Sequence, residues 1–265
     1  MAKDFKDLRK KISIDRKNEV PEHSTELPYL KRRVSYRSMK NRELKSFLKA
    51  LEKRDEYAIN AALDAILDSC VMTVEDEPFD NDDLCIQDRT YLLIKVRQAT
   101  LGDVAKFPHV YKEDADPVEV DVDISEFPVV YRENTVEMLI GMSSGVRAYL
   151  GPVTRGTEKQ MEAWTKKNAS RDSIVDRRYC AYAALINKVE MNVAEEDEDE
   201  SWEEGTLTFN DKVKFIEDYC GPSDIEKFDE LSDDLDFGIK LTFSFKTDGY
   251  ENEEEEINLL SFFIT

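Results

Sequence analysis

A chain of 265 residues with 41% hydrophobic residues has enough apolar surface for a real core, as one large domain or two smaller ones, and is no disordered polymer. Its net charge of −21 and pI near 4.6 argue against non-specific nucleic-acid binding, because a polyanion repels phosphate and releases no counterions. A basic or mixed protein partner fits this charge better.

The charge is unevenly spread. Residues 1–50 hold 15 Lys and Arg against 7 Asp and Glu, a balance of +8 that leaves −29 for the remainder. Residues 1–26 are polar, charged and without sustained periodicity, so they read as a basic flexible arm: a solvated tail, or a segment that docks on an acidic neighbour. The opening MAKDFKDLRKK has no apolar stretch and is not expected to be a secretory signal. No run reaches the ~18 apolar residues of a membrane span.

Folded structure is expected from Leu27-Pro28. From Asn41 the residues Leu44, Phe47, Leu48 and Leu51 share one helical face, with Ser38 or Asn41 as the cap. A second helix carries Ile59, Ala62, Leu63, Ile66, Leu67 and Cys70 on one stripe. After the acidic loop VEDEPFDNDD, broken by Pro78, a third helix is expected to start at Asp82 or Asp83. It places Leu84, Tyr91, Leu92 and Val96 on its apolar side, with Asp88, Arg89 and Lys95 elsewhere on the cylinder, and it ends at Gly102. Asp88 near the positive end and Arg97 near the negative end of that helix each complement its dipole; a partner contact is the alternative for Arg97.

The period then changes to two. Val118, Val120, Val122 and Ile124 alternate with acids, and residues 104–111 are the expected antiparallel partner. Val129–Tyr131 and Val136–Ile140 are further strand candidates. Residues 157–168 and 173–191 read as helices, the second with Ile174, Tyr182, Leu185, Ile186 and Val189. The acidic run AEEDEDESWEE at 194–204 reads as a loop insertion. Helices follow at 210–220 and 223–235, the latter with Ser223 and Glu226 as a capping box. A terminal hairpin turns at Asp248-Gly249, between the alternating run Ile239–Phe245 and a strand ending in Leu259, Leu260, Phe262 and Phe263. Phe262-Phe263 reads as core, with insertion into a partner as the alternative.

The fold class is therefore α+β: two helical units, each followed by an antiparallel hairpin or small sheet, behind a basic arm. The units are drawn at 27–150 and 151–265.

Chemistry-bearing motifs are sparse. Gly141-Met142-Ser143-Ser144-Gly145 has the form G-x-S-x-G, but both histidines, His23 and His109, precede the serine, whereas that hydrolase order needs a histidine after it. Ser143 is read as part of a flexible turn, and no catalytic residue is assigned. Glu195–Glu200 lacks the glycine and spaced ligands of a calcium loop. Gly151–Lys159, GPVTRGTEK, lacks the G-K-[ST] ending of a phosphate cradle. Cys70, Cys85, Cys180 and Cys220 form no C-x-x-C pair and read as reduced buried thiols. No metal, cofactor or small-molecule substrate is expected.

Order and spacing supply more. A Leu-Pro entry at 27–28, the helix RELKSFLKAL, a helix ending ILDSCV at 66–71, then LCIQDRTYLLIKVR and TLGD resemble the baseplate hub and hub-assembly protein family of contractile-tailed bacteriophages of the T-even type. The likeness covers 27–263, with its specific part at 27–103 and 257–263, which ends in Ser261-Phe262-Phe263. Several members have paired cysteines in the first hairpin, where this chain has Phe107-Pro108-His109, so no metal knuckle carries over. The resemblance implies a non-enzymatic virion protein of the central baseplate hub, acting with hub, tape-measure and baseplate proteins in the infected host's cytoplasm. The alternatives are a transient tail-assembly chaperone for tape-measure or hub proteins, and an acidic regulator or nucleic-acid mimic acting on a host protein.

Overall fold

A computed structural model describes residues 23–263 apart from 75–76, 110–117, 133–137, 142–145, 169–172, 193–201, 206, 245, 248–249 and 252–254. Regular structure begins earlier than Leu27: strand β1 (His23–Glu26) pairs antiparallel with β2 (Arg33–Tyr36), so the last four residues of the expected arm belong to a sheet. Its first 22 residues lie outside the described residues.

Helix α1 (Asn41–Glu52) starts after Lys40, whose backbone N–H donates to the Glu43 carboxylate at 2.6 Å. Neither Ser38 nor Asn41 caps it. Helix α2 (Glu56–Cys70) is capped by Asp55, which accepts from the Tyr57 amide at 3.0 Å. Its Leu63, Ile66, Leu67 and Cys70 are buried, as their spacing predicts. Strands β3 (Val71–Val74) and β4 (Glu77–Pro78) then complete a sheet in the order β1-β2-β3-β4.

The third helix differs from expectation in two ways. Residues Asn81–Asp83 form a separate 3-10 turn, and α3 runs from Ile86 to Leu101 behind Cys85, so Leu84 precedes it. It also has no polar side: Asp88, Arg89, Tyr91, Leu92, Leu93, Ile94, Val96 and Arg97 are all buried. Four consecutive apolar residues point to every quarter of a helix, so the run Tyr91–Ile94 requires packing all round. Gly102 closes the helix at a φ of 88°, a region few other residues adopt.

Strands β5 (Val104–His109) and β6 (Val118–Asp123) form the expected hairpin in the register Val104↔Asp123 to His109↔Val118. Short β7 (Val129–Val130) follows, then β8 (Met138–Gly141) and β9 (Val146–Leu150). Helix α4 spans Arg155–Lys167 and α5 spans Ile174–Leu185. The expected long helix to 191 stops at Leu185, and Ile186–Asn192 is strand β10, paired with β9 and with β11 (Trp202–Gly205). Ile174, at the first turn of α5, is 86% exposed, while Ile186 and Val189, now on the strand, reach the core. The second sheet has the order β11-β10-β9-β8. The acidic run thus ends in a strand; its residues 194–201 lie outside the described ones.

Helices α6 (Phe209–Tyr219) and α7 (Pro222–Asp234) follow. The cap of α7 is Gly221, whose N–H donates to Asp224 at 3.0 Å, with Pro222 in the first turn; Ser223 and Glu226 form no box. The chain closes with β12 (Gly238–Ile239) on β7, β13 (Thr242–Phe243) on β16 (Glu255–Glu256), and the hairpin β14 (Lys246–Thr247) with β15 (Tyr250–Glu251), whose register brackets Asp248-Gly249. Leu259–Phe263 is a 3-10 helix, not a strand.

Two apolar cores result. One gathers Leu27, Phe47, Ile66, Leu67, Leu92–Ile94 and Phe107 with Ile257, Phe262 and Phe263. The other gathers Ala148, Leu150, Trp164, Leu185, Ile186, Val213, Ile216, Phe228 and Leu231. The terminal segment, grouped with the second unit by sequence order, contributes its side chains to the first core. Phe262 meets Phe107 and Phe127 edge-on at ring-centroid distances of 5.0 and 5.7 Å, and Phe263 packs on Phe47 at 5.0 Å. Both rings are core, so they offer no surface to a partner.

Replacing the fully buried Leu92 with Ala is expected to cost about 2–5 kcal/mol in urea unfolding, whereas Ile174→Ala should change stability by less than about 0.5 kcal/mol. Equal effects of the two would contradict the placement of α3 inside and the start of α5 outside.

Candidate functional site

The most connected polar arrangement among the described residues is a buried charge cluster where the two cores meet. At its centre is Asp64, on the face of α2 that turns away from solvent, with a side chain 11% exposed. Its Oδ1 accepts from Arg89 Nη2 on α3 at 2.9 Å and from Asn81 Nδ2 at 2.8 Å. Arg155, the first residue of α4, donates Nε to both Asp64 oxygens at 3.0 Å and Nη2 to Oδ2 at 3.0 Å. The remaining Arg155 nitrogen, Nη1, donates to Glu158 at 2.7 Å and to Glu162 at 2.9 Å, one and two turns along its own helix. This guanidinium is thus saturated by three carboxylates, a geometry a lysine could not reproduce.

Backbone contacts hold the same junction. Ile86 N–H donates to Val153 at 3.0 Å and Arg155 N–H donates to Leu84 at 2.9 Å, forming an isolated antiparallel bridge between Cys85 and Thr154. Gly156 lies against the 3-10 turn so closely that a side chain there would meet the Asp82 carbonyl at 3.1 Å. The second glycine of GPVTRGTEK, Gly156, therefore serves helix-to-turn packing, not a phosphate cradle.

The electrostatics follow from burial and pairing. Burial pushes the Asp64 pKa up, but the Arg155 hydrogen bonds, the Arg89 charge and the Asn81 amide outweigh it and hold the carboxyl below its ordinary range. Burial opposes the Arg155 charge, and the three carboxylates reverse that effect and raise its pKa. A parallel pair lies in the first core: Glu43 is opposed by burial but is held at about 2, chiefly by hydrogen bonds from Arg37 at 2.9 and 3.0 Å and from the Lys40 backbone. Neither arrangement leaves a poised acid or base. Both lock charges into one state.

Two further buried charges sit on α3. Asp88 accepts from the Tyr29 and Leu30 amides at 2.8 and 3.1 Å, yet burial dominates and raises its pKa. Arg97 donates to the carbonyls of Phe262 at 2.9 Å and Val104 at 3.1 Å, and also to that of Gly102. Arg97 is therefore an internal staple, not a partner contact, and both residues do more than complement the helix dipole.

The residues singled out by motif do not converge. Ser143 and its neighbours 142–145 lie outside the described residues, as does Glu195–Glu200. His23 stacks on Tyr36 in the first sheet at 5.5 Å, and His109 ends β5. The four cysteines are free thiols; Cys70, Cys85 and Cys180 are buried and Cys220 is partly so. Burial raises the Cys70 pKa to about 12, and those of Cys85, Cys180 and Cys220 also rise, so none is a reactive thiolate. Among the described residues no group of three or more His, Cys, Asp and Glu could hold a metal ion, and no helix is long and apolar enough to cross a membrane. The Asp64 cluster itself was missed on sequence: its members lie 25 and 91 residues from Asp64 along the chain.

Asp64→Ala should destabilise the protein by about 3–5 kcal/mol, since it leaves Arg89 without a carboxylate and Arg155 short of one in a buried setting. Because the folded pKa of Asp64 is depressed, its contribution is full above the ordinary carboxylate range and is lost as pH falls through the folded value. Urea midpoints measured from pH 6 down should therefore converge for wild type and Asp64→Ala as acid is added. A constant gap would mean that the carboxylate charge is not what stabilises the junction.

A family model described as T4 bacteriophage base plate protein matches residues 20–264, which includes both cores and the charge cluster between them. No curated protein matches the chain, and no solved structure does.

Proposed function

The chain belongs to the T4 bacteriophage base plate protein family, and from that premise we propose that it builds the central hub of the tail baseplate. Family membership makes it a structural component of a phage baseplate that interacts with other tail proteins. The hub assignment rests on the order of segments from Leu27 to Gly102 and on the closing Ser261-Phe262-Phe263. The observation that carries the reading is the breadth of the family match, from residue 20 to 264, which makes the shared feature the whole two-core body and not one motif.

The physical character of that body agrees with a building block. Its ionisable groups at the junction are paired and fixed, and its buried thiols are protonated. What it presents to neighbours is charge: a basic beginning followed by a strongly acidic remainder, suited to steering encounters with partners of either sign. A transient chaperone for the tape-measure or hub proteins would use the same surfaces but would leave before the particle matures.

Quantitative mass spectrometry of purified particles and of lysates taken during assembly separates the two. Peptides of this chain at constant stoichiometry with other hub proteins in purified particles are expected. Abundance in lysates with none in particles would transfer the reading to the chaperone. Complete baseplates assembled by phage lacking this gene would overturn both.

A further inference from the structure

We propose that copies of this chain dock on one another head to tail, the basic outer stripe of α1 on one copy against the acidic outer stripe of α7 on the next. On α1, Arg42, Lys45 and Lys49 recur at i, i+3 and i+7, and Lys53, in helical conformation just past the last turn, continues the row at i+11. That spacing places four cations on a single face, and all four are exposed. The opposite face buries Glu43, Phe47 and Ala50 in the first core. Among the described residues Lys45, Lys49 and Lys53 have no ion-pair partner, while Arg42 approaches Glu43 at 3.4 Å with its own side chain still 76% exposed.

Helix α7 carries the complement. Glu226, Glu230 and Asp234 recur at i, i+4 and i+8, all exposed, while Phe228 and Leu231 bury the other side in the second core. None of the three acids has an ion-pair partner among the described residues. At 1.5 Å per residue the basic row is about 16 Å long and the acidic row about 12 Å. Two rows of matched length and opposite sign, on different cores, oppose each other when two copies meet.

Each row is costly in the isolated chain. Like charges at helical neighbour spacing repel, and among the described residues only Arg42, through Glu43, has a partner of opposite charge. A second copy relieves both rows at once. Each copy carries a net charge of −21, so two copies repel at long range, and the contact forms only where the two opposite rows meet at close range. A contact between two different patches leaves each copy with one of each unused, so it repeats, closing into a ring or extending.

The proposal does not depend on the hub assignment, and the purified full-length chain tests it. Sedimentation velocity should show concentration-dependent association at ~50 mM salt that is lost at ~500 mM, where screening acts within a few ångströms. The double variants Lys45→Glu with Lys49→Glu, and Glu226→Lys with Glu230→Lys, should each weaken association by about tenfold or more, with unchanged circular dichroism. Mixed in equal amounts they should associate again, since the reversed α1 of one faces the reversed α7 of the other. A chain that stays monomeric at low salt, variants that associate like the wild type, or a mixture that fails to recover would each overturn the proposal.

Discussion

Helix α3 buries three charged side chains among its apolar ones, and most of the architecture answers to that constraint. Its Asp88, Arg89 and Arg97 cannot reach water, so each must find its counterpart inside the protein, while the half-buried Lys95 lies over the Tyr91 ring. Asp88 takes the Tyr29 and Leu30 amides of the turn that joins the first two strands. Arg89 takes Asp64 on α2, and through Asp64 reaches Arg155 at the start of the second core. Arg97 takes the carbonyls of Val104 and Phe262, which lie just after the helix and close to the end of the chain. Three charges on one helix thus tie its own core to the chain's beginning, to its other core and to its end.

This wiring explains why the terminal segment leaves the unit it follows in sequence. The Phe262 carbonyl faces Arg97 while the Phe262 ring fills the space between Phe107 and Phe127. A strand in that place would send alternate side chains outward, whereas the 3-10 turn brings both Phe262 and Phe263 into the core. The polar contact orients the segment and the aromatic burial supplies the larger free energy.

For a part of a larger assembly, the consequence is a body whose two cores are joined by paired charges and by main-chain bridging, with only Arg89 Nε and Asn81 Oδ1 of that cluster left without a hydrogen bond among the described residues. Buried ion pairs of this kind add little net stability compared with apolar packing, but removing one partner is severe. Their value here is directional: a guanidinium held by Asp64, Glu158 and Glu162 accepts one arrangement of α2 and α4. A fixed relation between the cores gives the exposed helices of each a fixed separation.

What the sequence determined by itself were the features that depend on neighbours along the chain. The stripe of α2, the end of α3 at Gly102, the β5–β6 hairpin and the pairing around Asp248-Gly249 all follow from side-chain period or local backbone preference. The order of these segments also carried the family likeness that the match over residues 20–264 bears out. Tertiary structure alone decided the burial of Asp88, Arg89 and Arg97, the change from helix to strand at Ile186, and the destination of Phe262. Charged residues on a helix look like a solvated face until partners 25 to 165 residues away are brought beside them. Ile186–Val189 likewise suits either state by local preference, and pairing with β9 settles it. Contacts so distant in sequence have no local period, so they become visible only when the chain is folded.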